Sequence, residues 1–298
     1  MMSEQQKGIL YAAGSYIIWG VLPLYWKLIG SINSYEILAH RIIWSLVFMI
    51  LLVVILGKTS ELKIQTKRLF GEPKQALSLF IAALVIAINW GLFIWAVSND
   101  HVMQASLGYY INPLMSILLG LIFMKERFTK VEWIAIALAA AGVFYMTLSL
   151  GVFPYISVLL AASFAVYGLL KKNIRIDAIY TILLECLFTL PFALIGLVYL
   201  KSVNMSHFGM NQDSFMLLFS GVLTAIPLIL FTAGARRIPL SLIGFLQYIG
   251  PTLMLIQSVF LFNEPFTITH LVTFGLIWTG LILYSISKIM TYRRQKRL

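Results

Sequence analysis

The chain is poor in charged residues, and acidic residues are the scarcest. Only 11% of its 298 residues are charged, with 11 Asp and Glu against 22 Lys and Arg. So few charges cannot cover the surface of a water-soluble protein of this length. Cysteine is nearly absent as well, and the single Cys186 excludes an intramolecular disulfide bond.

The sequence also lacks the common motifs of hydrolytic enzymes. It contains neither HExxH nor G-x-S-x-G, and no His lies near Cys186 in the sequence. The three aspartates, Asp100, Asp177 and Asp213, fall in or beside predicted loops. An intramembrane enzyme is therefore the weakest of the functional alternatives, and we expect no metal ion and no cofactor.

Long apolar segments follow one another along the whole chain. Hydrophobic residues make up 60% of it, and the mean hydropathy is +0.92. A bilayer core of about 30 Å needs about 20 consecutive apolar residues per helix. We predict an all-α membrane protein with ten transmembrane helices, near 8–26, 35–56, 75–97, 102–124, 131–149, 152–170, 178–200, 214–234, 240–262 and 268–288. The longest connection, 57–74, leaves no room for a soluble nucleic-acid-binding domain.

The basic residues are distributed unevenly between the predicted connections. With ten spans, all Lys and Arg except Lys27, Arg41 and Lys201 fall on one side of the membrane. Positive charge marks the cytoplasmic side, so both termini are predicted to be cytoplasmic. Removing one span would invert every later connection and destroy this asymmetry, which favours ten. The net charge of +11 is thus explained without nucleic acid.

Two parts of the sequence are similar to each other. The stretch YINPLMSILLGLIFMKERFT, Tyr110 to Thr129, aligns without a gap with YIGPTLMLIQSVFLFNEPFT, Tyr248 to Thr267, and AGSYIIWG from Ala13 resembles ASFAVYG from Ala162. The chain therefore divides into two related five-helix repeats, 8–149 and 152–288, followed by a basic tail, 289–298. Because five is odd, the repeats enter the membrane in opposite orientations. Inverted repeats are typical of alternating-access transporters.

Four motifs carry a resemblance to a known family. They are SYIIWGVLPLYWK, EILAHRIIWS, NWGLFIWAV and QASLGYYINPL. Together with the two five-span repeats, they resemble the drug/metabolite transporter superfamily with two EamA repeats, and within it the RarD branch of bacterial permeases. The resemblance covers nearly the whole chain. It implies a multi-pass permease of the bacterial cytoplasmic membrane, without supplying a substrate.

Two ionisable residues stand side by side near the start of the second segment. A charged Arg near the bilayer centre costs about 2.5 to 3.5 kcal/mol, so Arg41 calls for an explanation. It either extends to the outer interface or lines a polar path, where its planar fork suits a carboxylate or phosphate. His40 points about 100° away around the helix and is either a packing residue or a proton relay.

Glu185 is the only acidic residue well inside a predicted span. It lies about as far into segment seven as Arg41 lies into segment two, so the two are near repeat-equivalents. Inverted repeats would place them toward opposite faces, which argues against a direct ion pair. Glu185 is then either a protonated, hydrogen-bonded carboxyl or a gating or coupling group.

The other candidates for the substrate path are amides and aromatic residues at lipid depth. Such side chains face other helices, either as interhelical hydrogen bonds or as the lining of a cavity. Pro113 and Pro251 each follow a Tyr by three positions and are predicted helix kinks that free a backbone carbonyl. The remaining path candidates are Asn89, Trp90, Gln104, Tyr110, Asn112, Gln247 and Tyr248.

The predicted function is transport of a small metabolite or drug-like solute by alternating access. The expected partners are the lipid bilayer and a solute, anionic or zwitterionic if Arg41 recognises it. A passive facilitator or channel on the same fold is the alternative, and the sequence alone does not separate the two.

Overall fold

The computed structural model describes residues 2–28, 32–98, 101–149, 151, 154–209, 212–261 and 266–295. These residues form helices and connections only, which confirms the all-α prediction. The helices are α1 (Glu4–Leu28), α2 (Ser34–Ile55), α3 (Thr59–Gly71), α4 (Pro73–Ser98), α5 (Val102–Phe123), α6 (Lys130–Ser149), α7 (Tyr155–Asn173), α8 (Ala178–Ser202), α9 (Gln212–Ala235), α10 (Leu240–Gln247), α11 (Ile249–Phe260) and α12 (Ile268–Gln295).

Most of these helices are long and apolar enough to cross a membrane. Within the described residues, nine stretches meet that standard, one of them spanning α10 and most of α11. The part of α5 from Leu107 to Phe123 is apolar but shorter. The chain is therefore an integral membrane protein. The predicted segments match the helices closely, with three exceptions. The first helix begins four residues earlier than expected, the sixth segment begins and ends three residues later, and the last continues into the predicted tail.

The hydrophilic connection between the second and third predicted spans is mostly helical. Residues 59–71 of this connection, TSELKIQTKRLFG, are rich in helix-forming residues and form α3. Leu69 is buried, whereas Ile64 and Phe70 are 67% and 57% exposed. Lys63 and Lys67 are also exposed. An amphipathic helix with basic and exposed apolar residues suits the membrane interface.

The two predicted proline kinks differ in the structure. Pro251 follows an interruption at Tyr248, which separates α10 from α11. Proline has no N–H, so Pro251 cannot bond the carbonyl of Gln247 four residues earlier. The helix α5, by contrast, continues through Pro113. The same Tyr-x-x-Pro pattern therefore breaks the regular helix in one repeat only.

The contact between α6 and α12 is reciprocal. Gly142 packs against the carbonyl oxygen of Thr273, 2.8 Å from where a Cβ would stand, and Gly280 packs at 2.7 Å against that of Ala135. Both residues of the second contact lie 138 positions from those of the first, the offset that relates the repeats. Glycine allows each backbone this close approach.

The halves also pack into each other elsewhere. The helix α9 lies against α1 and α2, and α4 lies against α7 and α8. The Ser45 hydroxyl donates a 2.9 Å hydrogen bond to the carbonyl oxygen of Gly221, where α2 and α9 cross. This crossing, with α4 and α8 beside it, encloses the cavity described next.

Candidate functional site

A narrow cavity lies between α2, α4, α8 and α9. It comprises about 310 Å³ of space between atoms, including its opening. Its walls combine apolar side chains with one carboxylate, one thiol and several hydroxyls. The lining residues are Ile42, Ser45, Ile86, Trp90, Ile182, Glu185, Cys186, Thr189, Thr224 and Leu228. Helices from both halves of the chain thus contribute to one enclosed space.

Arg41 borders this cavity through two of its lining residues. Its Nε donates a 3.0 Å hydrogen bond to the Thr224 hydroxyl, and its guanidinium carbon lies 5.0 Å from the centre of the Trp90 ring. The Thr224 hydroxyl in turn donates to the carbonyl oxygen of Ser220, which leaves its oxygen free to accept from Arg41. A guanidinium over an indole ring is stabilised by a cation–π interaction. The structure thus brings Arg41 and Trp90 together, with a hydroxyl that sequence reasoning missed.

Glu185 is held from the other side of the cavity by two groups of α7. The Lys171 Nζ lies 2.6 Å from its Oε1, and the Tyr167 hydroxyl donates a 3.0 Å hydrogen bond to its Oε2. The side chains of Lys171 and Glu185 are 0% and 5% exposed. The partner of Glu185 is therefore a lysine and not Arg41.

The prediction that Lys171 is a cation of a cytoplasmic connection is wrong. Segment six was expected to end at residue 170, but α7 continues to Asn173 and turns Lys171 inward. A hydropathy window ends where charged residues begin, and it contains no information on which way a side chain points. The signal available in the sequence was the pairing itself, because Glu185 needs a cation nearby to remain charged in a span.

His40 faces the end of the bundle near the α8–α9 connection. Its Nδ1 accepts a 3.2 Å hydrogen bond from the Trp44 indole, and its ring stacks on Phe208 at 4.4 Å. One turn earlier, the buried carboxylate of Glu36 accepts hydrogen bonds from the backbone N–H groups of His207 and Phe208 and from the Ser206 hydroxyl. Sequence reasoning missed Glu36. This cluster lies at one end of α2, and none of its residues is in the lining of the cavity.

The Asn89 amide joins two helices. It donates to the carbonyl oxygen of Leu160 at 2.9 Å and to the Ser163 hydroxyl at 2.8 Å, both on α7. Asn89 is 9% exposed. These are the interhelical hydrogen bonds that sequence reasoning offered as the alternative to cavity lining.

A second polar cluster lies where α5 meets α10 and α11. The Ser116 hydroxyl donates to Gln247 at 3.2 Å, and the buried Tyr248 hydroxyl donates to the backbone oxygen of Tyr110 at 3.4 Å. Asn112 has a buried Oδ1. The path role predicted for these residues stays a prediction, and the side chain of Gln104 lies outside the described residues.

The repeated glutamate motif has a clear structural role in its first copy. Both oxygens of Glu126 accept backbone hydrogen bonds at the start of α10, from Leu240 at 2.6 Å and from Ser241 at 3.1 Å. A carboxylate at a helix N-terminus satisfies unpaired N–H groups and stabilises the helix dipole. The KERFT motif thus fixes the beginning of the interrupted span. Glu264, the matching residue, lies outside the described residues.

Comparison with known proteins places these features in a family. The EamA-like transporter family matches residues 6–148 and again residues 153–286. A solved crystal structure shares the fold with a TM-score of 0.74 and 17% identity, covering 94% of this chain and 97% of the other. The chain therefore belongs to the EamA-like transporter family of integral membrane proteins.

Full-length bacterial relatives narrow the assignment. Protein RarD of Escherichia coli is 43% identical over 296 residues, 99% of each chain. The uncharacterized transporter YojE of Bacillus subtilis is 41% identical over 294 residues, which cover 99% of this chain and 98% of that one. The chain is a permease of the RarD type, located in the cytoplasmic membrane.

Proposed function

We propose that this permease moves a small solute by alternating access through the cavity between α2, α4, α8 and α9. The single observation that carries the proposal is that both halves of the chain line this one space. In an alternating-access transporter, the site lies at the interface of two repeats that rock against each other. Its narrowness fits a closed conformation, which must open for a solute to enter.

The proposal includes ten spans in two inverted repeats, divided near residue 150. The separate matches to 6–148 and 153–286 support the division. The reciprocal contacts of Gly142 and Gly280 support a pseudo-twofold relation between the halves. With five spans in each half, that relation requires opposite orientations, and the charge asymmetry then puts both termini in the cytoplasm.

Arg41 is the group proposed to recognise the solute. It contacts both Thr224 and Trp90, which line the cavity, so a small rotation of its side chain would bring the guanidinium into the space. Guanidinium groups bind carboxylates and phosphates through two parallel hydrogen bonds. The solute is therefore proposed to carry a carboxylate or a similar anionic group.

Passive facilitation on the same fold is the second candidate. Some of the relatives, YojE among them, are named transporters. That name accords with a role other than catalysis and fits both alternating access and passive facilitation. Counterflow in liposomes with and without a pH gradient separates them. A facilitator equilibrates the solute in both conditions, whereas a coupled transporter accumulates it when the gradient is present.

The experiment that tests the proposed function begins with a search for the solute. A compound that binds the folded protein raises its apparent melting temperature, and the stabilisation grows with the logarithm of one plus the ratio of its concentration to Kd. Organic anions and zwitterions are screened against purified protein in this way, and each compound found is then assayed for uptake into liposomes that contain the protein. If the compounds bind but their uptake into protein-containing liposomes does not exceed uptake into empty liposomes, the protein is not a permease for them and the proposal is contradicted.

The topology is tested separately with reporter fusions. Fusions after Lys67 and at the C-terminus are expected to report a cytoplasmic location, and a fusion after Asn204, between α8 and α9, an external one. A cytoplasmic result after Asn204 would contradict the ten-span inverted arrangement.

A further inference from the structure

The buried pair of Lys171 and Glu185 is an unusual feature of this membrane interior. Two charges removed from water lose their hydration, and their mutual attraction repays that loss only with good geometry and further hydrogen bonds. Here the geometry is good, because both carboxylate oxygens are satisfied, one by Lys171 at 2.6 Å and the other by Tyr167 at 3.0 Å. An apolar pair of similar size would fill the same space without this cost, so the charges call for a function.

The carboxylate faces two environments at once. Glu185 belongs to the lining of the cavity, whereas Lys171 approaches it from α7 and is fully buried. Opening of the cavity would admit water, and water can deliver a proton to a carboxylate. Glu185 is the one acidic residue in the cavity lining of the described structure.

The ion pair also bridges two helices that otherwise hardly touch. In the described residues, α7 packs on α4, α5 and α9, whereas α8 packs on α2, α4 and α9. The two helices share α4 and α9 as neighbours, but α7 packs most extensively on α5 and α8 packs most extensively on α2. A rearrangement within the second half, in which α7 moves with α5 while α8 stays with α2, would therefore separate Lys171 from Glu185 in addition to the rocking of the two halves.

We propose that Glu185 is the proton-coupling carboxylate of the transport cycle, alternating between its ion pair with Lys171 and a protonated form when the two helices separate. The proposal rests on the proposed transport function. In the step, a proton from cavity water adds to one carboxylate oxygen as the Lys171 ammonium withdraws, and Lys171 keeps its own proton. Neutralisation removes the cost of leaving the carboxylate unpaired, so the proton and the conformational change favour each other. The Lys171 ammonium keeps its charge, so the same movement must bring it to water or to another acceptor.

Other ionisable groups act on the same carboxylate. Tyr167 donates to it, Arg236 just beyond α9 interacts with it electrostatically, and Cys186 adjoins it on α8. The helices α2 and α4 contribute uncharged residues to the cavity lining, with Arg41 behind them. The cations Lys171 and Arg236 favour the ionised form, so losing Lys171 is the change that admits the proton.

The first test needs no transported solute. Infrared difference spectra of the full-length protein in liposomes, recorded between neutral and acidic pH, are expected to show the carbonyl stretch of a newly protonated buried carboxyl. The band should be absent in Glu185→Gln and present in the control Glu36→Gln, which removes another buried carboxylate. Glu185→Gln leaves the Lys171 ammonium buried and unpaired, which is expected to destabilise the variant. For this reason the spectra are also recorded for the double variant Glu185→Gln with Lys171→Met, which removes both charges. A band that persists in both Glu185 variants would overturn the proposal.

The second test uses a solute from the screen. Coupling to one proton allows a pH gradient of one unit to drive about tenfold accumulation, since one unit equals a tenfold ratio. We expect accumulation in the wild-type protein to rise several-fold with the gradient, and the ratio with and without the gradient to be one in the double variant, whatever its exchange rate. Wild-type uptake that does not respond to the gradient would overturn proton coupling and leave the proposed transport standing. No uptake of any bound compound would instead contradict the proposed function itself.

Discussion

The two halves of the molecule place opposite charges at matching points and hold them differently. Arg41 lies seven residues after the start of α2, and Glu185 lies seven residues after the start of α8, about 10 Å along each helix. Arg41 is contacted by Trp90 from its own half and by Thr224 from the other half, whereas Glu185 is bound by Lys171 and Tyr167 from its own half. The contacts of Arg41 therefore join the two halves, whereas the contacts of Glu185 join α7 and α8 within one half.

This difference assigns different tasks to the two sides. A group held across the moving interface can sense a solute between the halves, which is the role proposed for Arg41. A charge pair held within one half can change its protonation state without being part of the contact between the halves, which is the role proposed for Glu185. Replacing Lys171 therefore alters the surroundings of Glu185 alone, and replacing Arg41 leaves the pair of Lys171 and Glu185 as a reference.

The largest effect is expected from removing Lys171. Lys171→Met leaves the carboxylate of Glu185 buried without its cation, which costs about 3 to 5 kcal/mol for buried pairs. Adding Glu185→Gln removes the charge and should recover most of that loss. The measurement is the free energy of unfolding of both variants in detergent micelles.

The neighbouring lysine provides the control for that comparison. Lys172 donates to the carbonyl oxygens of Ala235 and Ile238 and is partly exposed, so Lys172→Met should lose about 1 kcal/mol or less. Equal losses at Lys171 and Lys172 would show that the ion pair contributes nothing specific.

The next largest effect concerns the crossing of α2 and α9. A Cβ at Gly221 would overlap the backbone of Trp44, so Gly221→Ala should push the helices apart and cost about 1 to 3 kcal/mol. It should also move Thr224 away from Arg41. Gly196→Ala on α8 is the control, because no atom would lie within 4 Å of its Cβ, and helix propensity alone would make it neutral or stabilising. The free energy of unfolding of both variants is measured in micelles. A Gly221→Ala protein as stable as the wild type would refute the close crossing of α2 and α9.

Replacing Arg41 should affect transport more than stability. Arg41→Leu is expected to lower the initial rate of uptake of an anionic or zwitterionic solute by about tenfold or more, which corresponds to about 1.4 kcal/mol of lost recognition. Arg41→Lys keeps the charge without the planar fork and should lose less. Rates are normalised to inserted protein. If Arg41→Leu transports at the wild-type rate, Arg41 has no part in recognition.

The smallest effect is expected in the cluster between α5 and α10. Ser116→Ala removes the hydrogen bond to Gln247, and such bonds between membrane helices contribute about 0.6 kcal/mol on average. Transport should be unaffected if this cluster only packs helices. A Ser116→Ala protein of wild-type stability that transports at a much lower rate would instead place the cluster on the solute path, as the sequence predicted for Gln247 and Tyr248.

Composition was sufficient to predict the long apolar helices, because each span must be apolar over a fixed length, but not the hydrophilic helix α3. Composition and periodicity could not predict the interruption at Tyr248, since Pro113 stands in the same local sequence without one. They also could not predict Lys171, whose direction depends on where α7 ends and on what faces it. Trp90 and Glu185 were found from their residue types at lipid depth, but Thr224 and Thr189 were missed because hydroxyls are common in such helices.

The space between α2, α4, α8 and α9 is the proposed solute path, which opens to each side of the membrane in turn. Thr189 lines it, and its hydroxyl donates only to its own helix, so Thr189→Cys is a mild change. On a Cys186→Ser background, labelling of this cysteine with a membrane-impermeant thiol reagent is measured in right-side-out and inverted vesicles. Leu118→Cys, on the exposed face of α5, is the lipid-facing control. We expect labelling of Thr189→Cys from both sides at rates well above that control, and labelling from neither side above the control rate would contradict a solute path through this space.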